Sequence, residues 1–255
     1  MDVNEIKSQF PIFSKKINGK SLVYLDSSNS SQKPISVINR LNNFYKNEFS
    51  NIGRSIHSLA VNATNKFEET RISVKNFINA KFKEEIIFTK NATEAINLVA
   101  TTFGQQNIKE GDEIIITELE HHSNYVPWHF LRENKKAIIK FAPINNDGDI
   151  MLEELQKLIS SKTKIIAITH LSNVTGAIVP IKEIVEIARK KNIPVLVDGC
   201  QSAPHIKIDV LDLDCDFYAF SGHKVYGPTG VGILYAKRKW LEKLQPYIGG
   251  GAMIS

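Results

Sequence analysis

Short strand-like runs alternate with helical patterns along most of this chain, and that alternation constrains its fold more than any other feature. The runs Glu85 to Thr89, Glu113 to Thr117, Ala137 to Phe141, Lys164 to Thr169 and Ile193 to Val197 have the length and β-branched character of strands. Between them lie helical faces, such as Ile96, Val99, Ala100 and Phe103, or Ile181, Ile184, Val185 and Ala188. Such alternation predicts βαβ units, hence a mainly parallel sheet with helices on both faces. Strands buried on both sides should be nearly all apolar, as Ile114 to Ile116 and Val195 to Val197 are. Two last runs, Phe217 to Phe220 and Val231 to Tyr235, predict a closing hairpin, the one place for an antiparallel strand. Gly222, Gly227, Pro228 and Gly230 predict a tight, helix-free connection between them.

Ahead of this region, residues 1–20 read as a short polar helix or arm ending in a turn at Gly19. Leu22 to Leu25 predicts a brief strand. Pro34 suits the first turn of a helix reaching about Phe49, and Ser58 to Asn79 a long amphipathic helix with Phe67, Val74, Phe77 and Ile78 on its apolar face. No repeat or linker divides the chain. The expected domains are an arm, 1–20, and one large domain, 21–255.

The composition excludes several classes. With 42% hydrophobic and 23% charged residues in 255 positions the chain has enough apolar material for a large core. No run approaches the ~18 apolar residues of a membrane span, and Met1 to Glu5 lacks the start of a signal peptide. Two cysteines, Cys200 and Cys215, cannot form a disulfide framework; a cytoplasmic location is expected, with no membrane partner. The net charge of +5 comes from 32 dispersed basic residues without an aromatic-interleaved stripe, so nucleic-acid binding is not expected. His121 and His122 invite a metal reading. Adjacent histidines diverge, however, and no Cys/His/Asp set completes a tetrahedron at recognisable spacing, so no metal is expected.

Three stretches carry candidate chemistry. Lys224 sits between the last two strands beside Ser221 and His223, as a solvated loop lysine or as an amine held against a carbonyl ligand. Asp198 ends a buried strand, where ligands gather in open α/β sheets; the bland alternative is an aspartate capping the next helix. Asn91 to Glu94 starts a helix, with Asn91 as N-cap and Glu94 three residues on. A helix N-terminus offers free N–H groups to a phosphate, with the Thr93 hydroxyl beside them, although capping boxes are common.

Together these stretches resemble the class V aminotransferase group and, more narrowly, its SUF-type cysteine desulfurases and selenocysteine lyases. The matching segments also include Tyr24 to Ser27, Ser31 to Pro34, Glu120 to Trp128, Thr169 to Val174 and Gly249 to Ile254, in order from about residue 5 to the end. The resemblance implies an aspartate-aminotransferase-like, fold type I large domain binding pyridoxal 5'-phosphate, with a two-fold dimer and a C-terminal domain not contained in this chain. It makes Lys224 the covalent anchor of the cofactor and the base that moves the substrate α-proton. It makes Thr93, Ser221 and His223 phosphate ligands, and Asp198 the partner of the pyridine nitrogen. By the same resemblance Gln201 bonds the ring's phenolic oxygen, Asn173 lies near that edge, and His121 stacks over the ring and relays protons. The implied substrate is L-cysteine or selenocysteine, with a protein sulfur acceptor, for iron-sulfur cluster assembly. A selenocysteine lyase, another class V enzyme, and an inactive relative kept as a binding partner are the alternatives.

Three departures accompany the match. The family's nucleophilic cysteine and carboxylate-binding arginine fall beyond Ser255, and neither Cys200 nor Cys215 replaces that cysteine, so the chain alone is expected to be inactive. Ser28 and Asn29 stand where the family has two alanines beside the substrate, and Gly53 where it has a histidine. His57 falls on a family histidine without an assigned role. The substrate side has drifted while the cofactor side is intact.

Overall fold

In a computed structural model that describes residues 2–251 and 253, the chain begins with α1 (Val3–Ser8) and a small hairpin, β1 (Lys16–Ile17) and β2 (Lys20–Ser21). Asn18 and Gly19 at its tip both have positive φ, 52° and 77°, as an Asn-Gly hairpin turn requires. The strand predicted at Leu22 to Leu25 is not formed. Val23 and Leu25 are 75% and 92% exposed, and with no strand beside them to pair with, their β-character is unused. Next come α2 (Ile35–Asn43), which continues through a π-helical turn over Phe44–Glu48, and α3 (Ser58–Phe77). Pro34 is the residue flanking α2 rather than its first residue.

The remaining elements form the predicted layers: β3 (Ile86–Thr89), α4 (Ala92–Asn107), β4 (Glu113–Thr117), α5 (Val126–Lys135), β5 (Ile138–Ala142), α6 (Leu152–Leu158), β6 (Thr163–Thr169) and α7 (Ile181–Arg189). They continue with β7 (Val195–Asp198), α8 (Ser202–His205), α9 (Val210–Leu213), β8 (Phe217–Ser221), β9 (Gly232–Ala236) and α10 (Arg238–Leu241). The seven-stranded sheet has the order β3-β9-β8-β7-β6-β4-β5. Its neighbours are parallel except at β9, which runs antiparallel to both β8 and β3. The antiparallel strand is therefore where the hairpin was expected, but inserted between two strands rather than at an edge.

Period-two alternation assigns each strand residue to one of two cores. Ile166, Ile168, Tyr218 and Phe220 pack with α6, α7 and α9. Ile165, Ala167, Phe217 and Ala219 pack on the other face with α4, α5 and Trp240. The sheet is thus sealed on both sides, and bound groups can reach it only at the strand ends. No helix among the described residues is long and apolar enough to cross a membrane. Within the Gly249 to Ile254 segment, Ala252 and Ile254 lie outside the described residues.

Candidate active site

Strand register brings the chemistry together. Thr169 pairs with Asp198 and Asp198 with Ala219, while Ser221 and Thr89 both pair with Gly232. The carboxyl ends of β3, β6, β7 and β8 therefore share one edge of the sheet. There they open a cleft of ≈ 250 Å3, lined by Thr93, His121, Asn173, Asp198, Gln201, Ser221, His223 and Lys224, with Asn29, Thr169 and Cys200 among its other walls. Every residue singled out for the cofactor borders it. The sheet order reverses direction between β6 and β4, and an α/β sheet binds ligands at such a switch.

Gly232 sets the floor. A Cβ there would come within 2.5 Å of Asn91 Cα, so only glycine lets β9 pass under the start of α4. The Asn91 side chain caps that helix, accepting from Glu94 N–H at 2.8 Å. The Glu94 carboxylate reaches back one residue further than a capping box would, to Lys90 N–H at 2.6 Å. The Ser221 hydroxyl accepts from Ala92 N–H at 2.9 Å, which ties β8 to the helix start and leaves the hydroxyl hydrogen to donate. Among the described residues, the Thr93 N–H and hydroxyl have no partner. Three donors are thus unspent at the positive end of a sixteen-residue helix.

Asp198 is 3% exposed, and its Oδ1 accepts from Cys200 N–H at 2.9 Å. It is the last residue of β7 rather than the cap of α8, whose flanking residue is Gln201. Its Oδ2 has no hydrogen-bond partner among the described residues and remains open to a cationic group. Gln201 borders the cleft, but its Nε2 donates to Ser28 O at 2.7 Å, so it also pins the segment carrying Asn29 against the site.

Lys224 ends a single 3-10 turn, Gly222–Lys224, so the connection predicted to be helix-free contains one turn. A turn of i to i+3 bonding this short tolerates glycine. The turn is held from far away in sequence. The His223 carbonyl accepts from Ser31 N–H at 3.1 Å, Ser31 Oγ at 2.9 Å and Lys33 Nζ at 2.8 Å. Ser31 Oγ in turn accepts from Tyr226 N–H at 3.0 Å, where φ is +65°. Ser31 and Lys33 are functional positions to which the sequence reading gave no role; the polar Ser31 to Pro34 segment is the signal that marked them. Burial, with the charges of Lys224 and Lys33, lowers the His223 pKa.

His121 caps a 3-10 turn, His122–Asn124, with its Nδ1 accepting from Ser123 N–H at 3.1 Å. His57, by contrast, is an exposed cap of α3 away from the cleft, accepting from Ala60 N–H at 3.4 Å. Gly53, at φ +70°, is likewise not among the residues lining the cleft, whereas Asn29 stands on its wall. Cys200 faces the cleft, but burial and the Asp198 charge push its thiol well up. Burial pushes Cys215 up to about 12. Both thiols are therefore protonated and weakly nucleophilic. Among the described residues no three His, Cys, Asp or Glu side chains gather closely enough to hold a metal.

Two titratable groups beside the cleft, the partly buried Glu120 and the buried His170, have opposite shifts. Burial, aided by the Asp198 charge, raises Glu120 from 4.5 to about 8. Burial lowers His170 from 6.5 to about 4, and its Nδ1 has no partner. The folded state binds an extra proton at Glu120 between these limits, so that contribution to stability falls as pH rises from about 4.5 to 8. It binds one fewer at His170, so that contribution is lost as pH falls from 6.5 to 4. The two oppose each other between 4.5 and 6.5. We expect His170→Phe to remove the opposing contribution, so that in urea titrations stability relative to the parent rises as pH falls from 6.5 to about 4, with the decline between pH 6.5 and 8 left in place.

A mostly parallel sheet sealed by helices, with a lysine, a buried aspartate and a helix N-terminus around one cleft, defines an α/β protein with a polar site at the carboxyl ends of its strands. The profile of the family described as "Aminotransferase class-V" matches residues 23–255, and the chain belongs to that family. A "Probable cysteine desulfurase" of Halalkalibacterium halodurans is 52% identical over 254 residues, covering 100% of this chain and 63% of the relative. The apo cysteine desulfurase of Thermococcus onnurineus superposes with a TM-score of 0.93 at 35% identity, over 100% of this chain and 62% of that one. A cysteine desulfurase of Escherichia coli gives 0.88 at 36% identity, over 100% and 63%. The chain therefore spans somewhat under two thirds of the length of these relatives.

Proposed function

We propose that the cleft binds pyridoxal 5'-phosphate and that the chain is the cofactor-holding part of a cysteine desulfurase. The observation that carries this reading is the convergence of Lys224, Asp198 and the α4 N-terminus on one cleft. The donor set suits the group. Thr93 and Ser221 have unspent donors for a phosphate, the His223 imidazole stands beside them, and the open Asp198 oxygen suits a protonated pyridine nitrogen. Lys224 would anchor the cofactor, His121 would cover it, and Asn173 and Gln201 would border it. Bound there, the cofactor supplies an electron-poor ring that takes up the charge left when a substrate loses its α-proton.

The protein's own part is to place and move that proton. With the cofactor bound, the Lys224 amine would stand at the end of the cleft where a substrate amino acid enters and would serve as the base for its α-proton. The sulfur then needs a thiolate. Cys200 and Cys215 are held protonated, so the acceptor thiol lies outside these 255 residues, and the residues that grip a substrate carboxylate do too. The working form is a two-fold dimer, and 1–20 acts as an arm packed on a 21–255 domain. Residues such as Leu25, Ile56 and Val174, at 92%, 98% and 84% exposed, are open to coverage in the assembly.

The test is to load the chain with pyridoxal 5'-phosphate and follow solvent-deuterium incorporation at the α-carbon. L-cysteine, L-selenocysteine and a panel of other amino acids serve as substrates. Incorporation into cysteine without alanine formation is expected. Incorporation confined to selenocysteine would move the reading to a lyase, confinement to other amino acids would move it to another class V reaction, and none at all with cofactor bound would make the chain a binding partner.

A further inference from the structure

Glu120 precedes His121 and joins three elements. Its Oε1 accepts from the Thr117 hydroxyl at 2.5 Å and from Thr169 N–H at 3.0 Å. Its Oε2 accepts from Asn124 Nδ2 at 2.6 Å. Thr117 and Thr169 are the last residues of β4 and β6, the two strands at the switch point. Asn124 ends the turn that His121 caps, and its backbone N–H donates to the His121 carbonyl at 2.8 Å. These groups have 0% to 6% of their surface exposed at Asn124, Thr117 and Thr169, so each unmade bond is costly.

The chain of bonds has only one possible direction. The Trp128 indole can only donate, and it donates to Asn124 Oδ1 at 3.2 Å. Asn124 must then turn its amide nitrogen toward Glu120. Thr117 Oγ already accepts from Leu119 N–H at 3.1 Å, so its hydrogen is also left for Glu120. A carboxyl offers a lone pair on both oxygens whether or not it carries a proton. A glutamine offers one on its oxygen only, and would set its NH2 against that of Asn124.

From this we infer that Glu120 is a positioning residue: it fixes the turn that presents His121 to the cleft, through a bond direction dictated by Trp128. The inference rests on the cofactor reading for what His121 covers, but not for the geometry. Ser123 N–H occupies His121 Nδ1, which places the neutral ring's proton on Nε2, away from that turn. A correctly held turn therefore gives His121 one sharp tautomer.

The test exchanges the amide and the carboxyl. Glu120→Gln, Asn124→Asp and the double variant Glu120→Gln/Asn124→Asp are compared with the parent chain. In the double variant the introduced amide nitrogen donates to the introduced carboxylate, that carboxylate accepts from Trp128, and the introduced amide oxygen keeps Thr117 and Thr169. The readouts are the 15N ring shifts of His121 without ligand, assigned by His121→Asn, and affinity for pyridoxal 5'-phosphate by absorbance titration. Glu120→Gln is expected to average the two ring-nitrogen signals and weaken cofactor binding about tenfold, the scale of one mispaired buried group. The double variant is expected to restore the parent's His121 shifts and recover most of the affinity. Unchanged His121 shifts in Glu120→Gln, or a double variant no better than the single, would overturn the inference. Should Glu120→Gln not fold, the double variant decides: it must fold with the parent's His121 signals. If the parent does not bind pyridoxal 5'-phosphate, the cofactor reading fails while the ring shifts still decide the positioning role.

Discussion

Lys224→Ala protein, incubated with pyridoxal 5'-phosphate and reduced with borohydride, is expected to carry the cofactor on no peptide. The parent chain should carry it on the peptide containing Lys224 and be yellow before reduction. The expectation follows from placement. Lys224 borders the cleft at the end of a turn whose carbonyl at His223 is gripped by Ser31 and Lys33. Among the described residues Lys224 is the only lysine that lines this cleft. Lys33 Nζ is already spent on the Ser31 and His223 carbonyls, so it is a poor substitute. Removing both the anchor and the base should lower α-proton exchange by 10²-fold or more, since a positioned base alone contributes about 10²–10⁴. The mass of the reduced tryptic peptides checks the first outcome directly. A Lys224→Ala chain that kept the same reducible linkage would refute the assignment.

Asp198→Asn is expected to separate binding from chemistry. On the proposed cofactor reading, Thr93, Ser221 and His223 would hold the phosphate without help from Asp198, so cofactor affinity should change by less than about tenfold. The Asp198 charge would act at the pyridine nitrogen, where its effect would grow as charge develops at the substrate α-carbon. Interactions stronger in the transition state than in the ground state lower turnover rather than binding when they are removed. With cofactor occupancy matched, solvent-deuterium exchange at the α-carbon should fall by about 10²–10³-fold, as when a preorganised electrostatic partner is lost. The asparagine can still accept from Cys200 N–H, so the turn after β7 stays in place. Exchange at an undiminished rate would reduce Asp198 to the acceptor of that one backbone bond.

Much of the fold was legible in the sequence, for a local reason. Strand β4 runs from Glu113 to Thr117 as predicted, because five residues buried on both faces leave an unbroken apolar signature with turn residues at each end. Alternation of such runs with helical faces implied the parallel sheet, and Phe217 to Tyr235 implied its antiparallel member. Leu22 to Leu25 misled because β-propensity reports a side chain's fit to a neighbouring strand, and no neighbour is there. The eight residues expected at a cofactor were marked by ordered motifs along the chain, and all eight border one cleft.

What the tertiary structure alone decided is how those residues are held and charged. That Gly232 makes room for Asn91, that Ser221 spends its acceptor on Ala92 N–H, and that Lys33 grips the carbonyl of His223 are contacts between segments 129 to 190 residues apart. No local pattern encodes them. Glu120 and His170 read as ordinary polar residues in the sequence, and only burial drives one up to about 8 and the other down to about 4. The direction of the bond chain from Trp128 to Glu120 likewise exists only once the turn has folded. Sequence determined which groups arrive at the strand ends, because side-chain chemistry and period are written residue by residue; packing decided which of their lone pairs and protons remain to act.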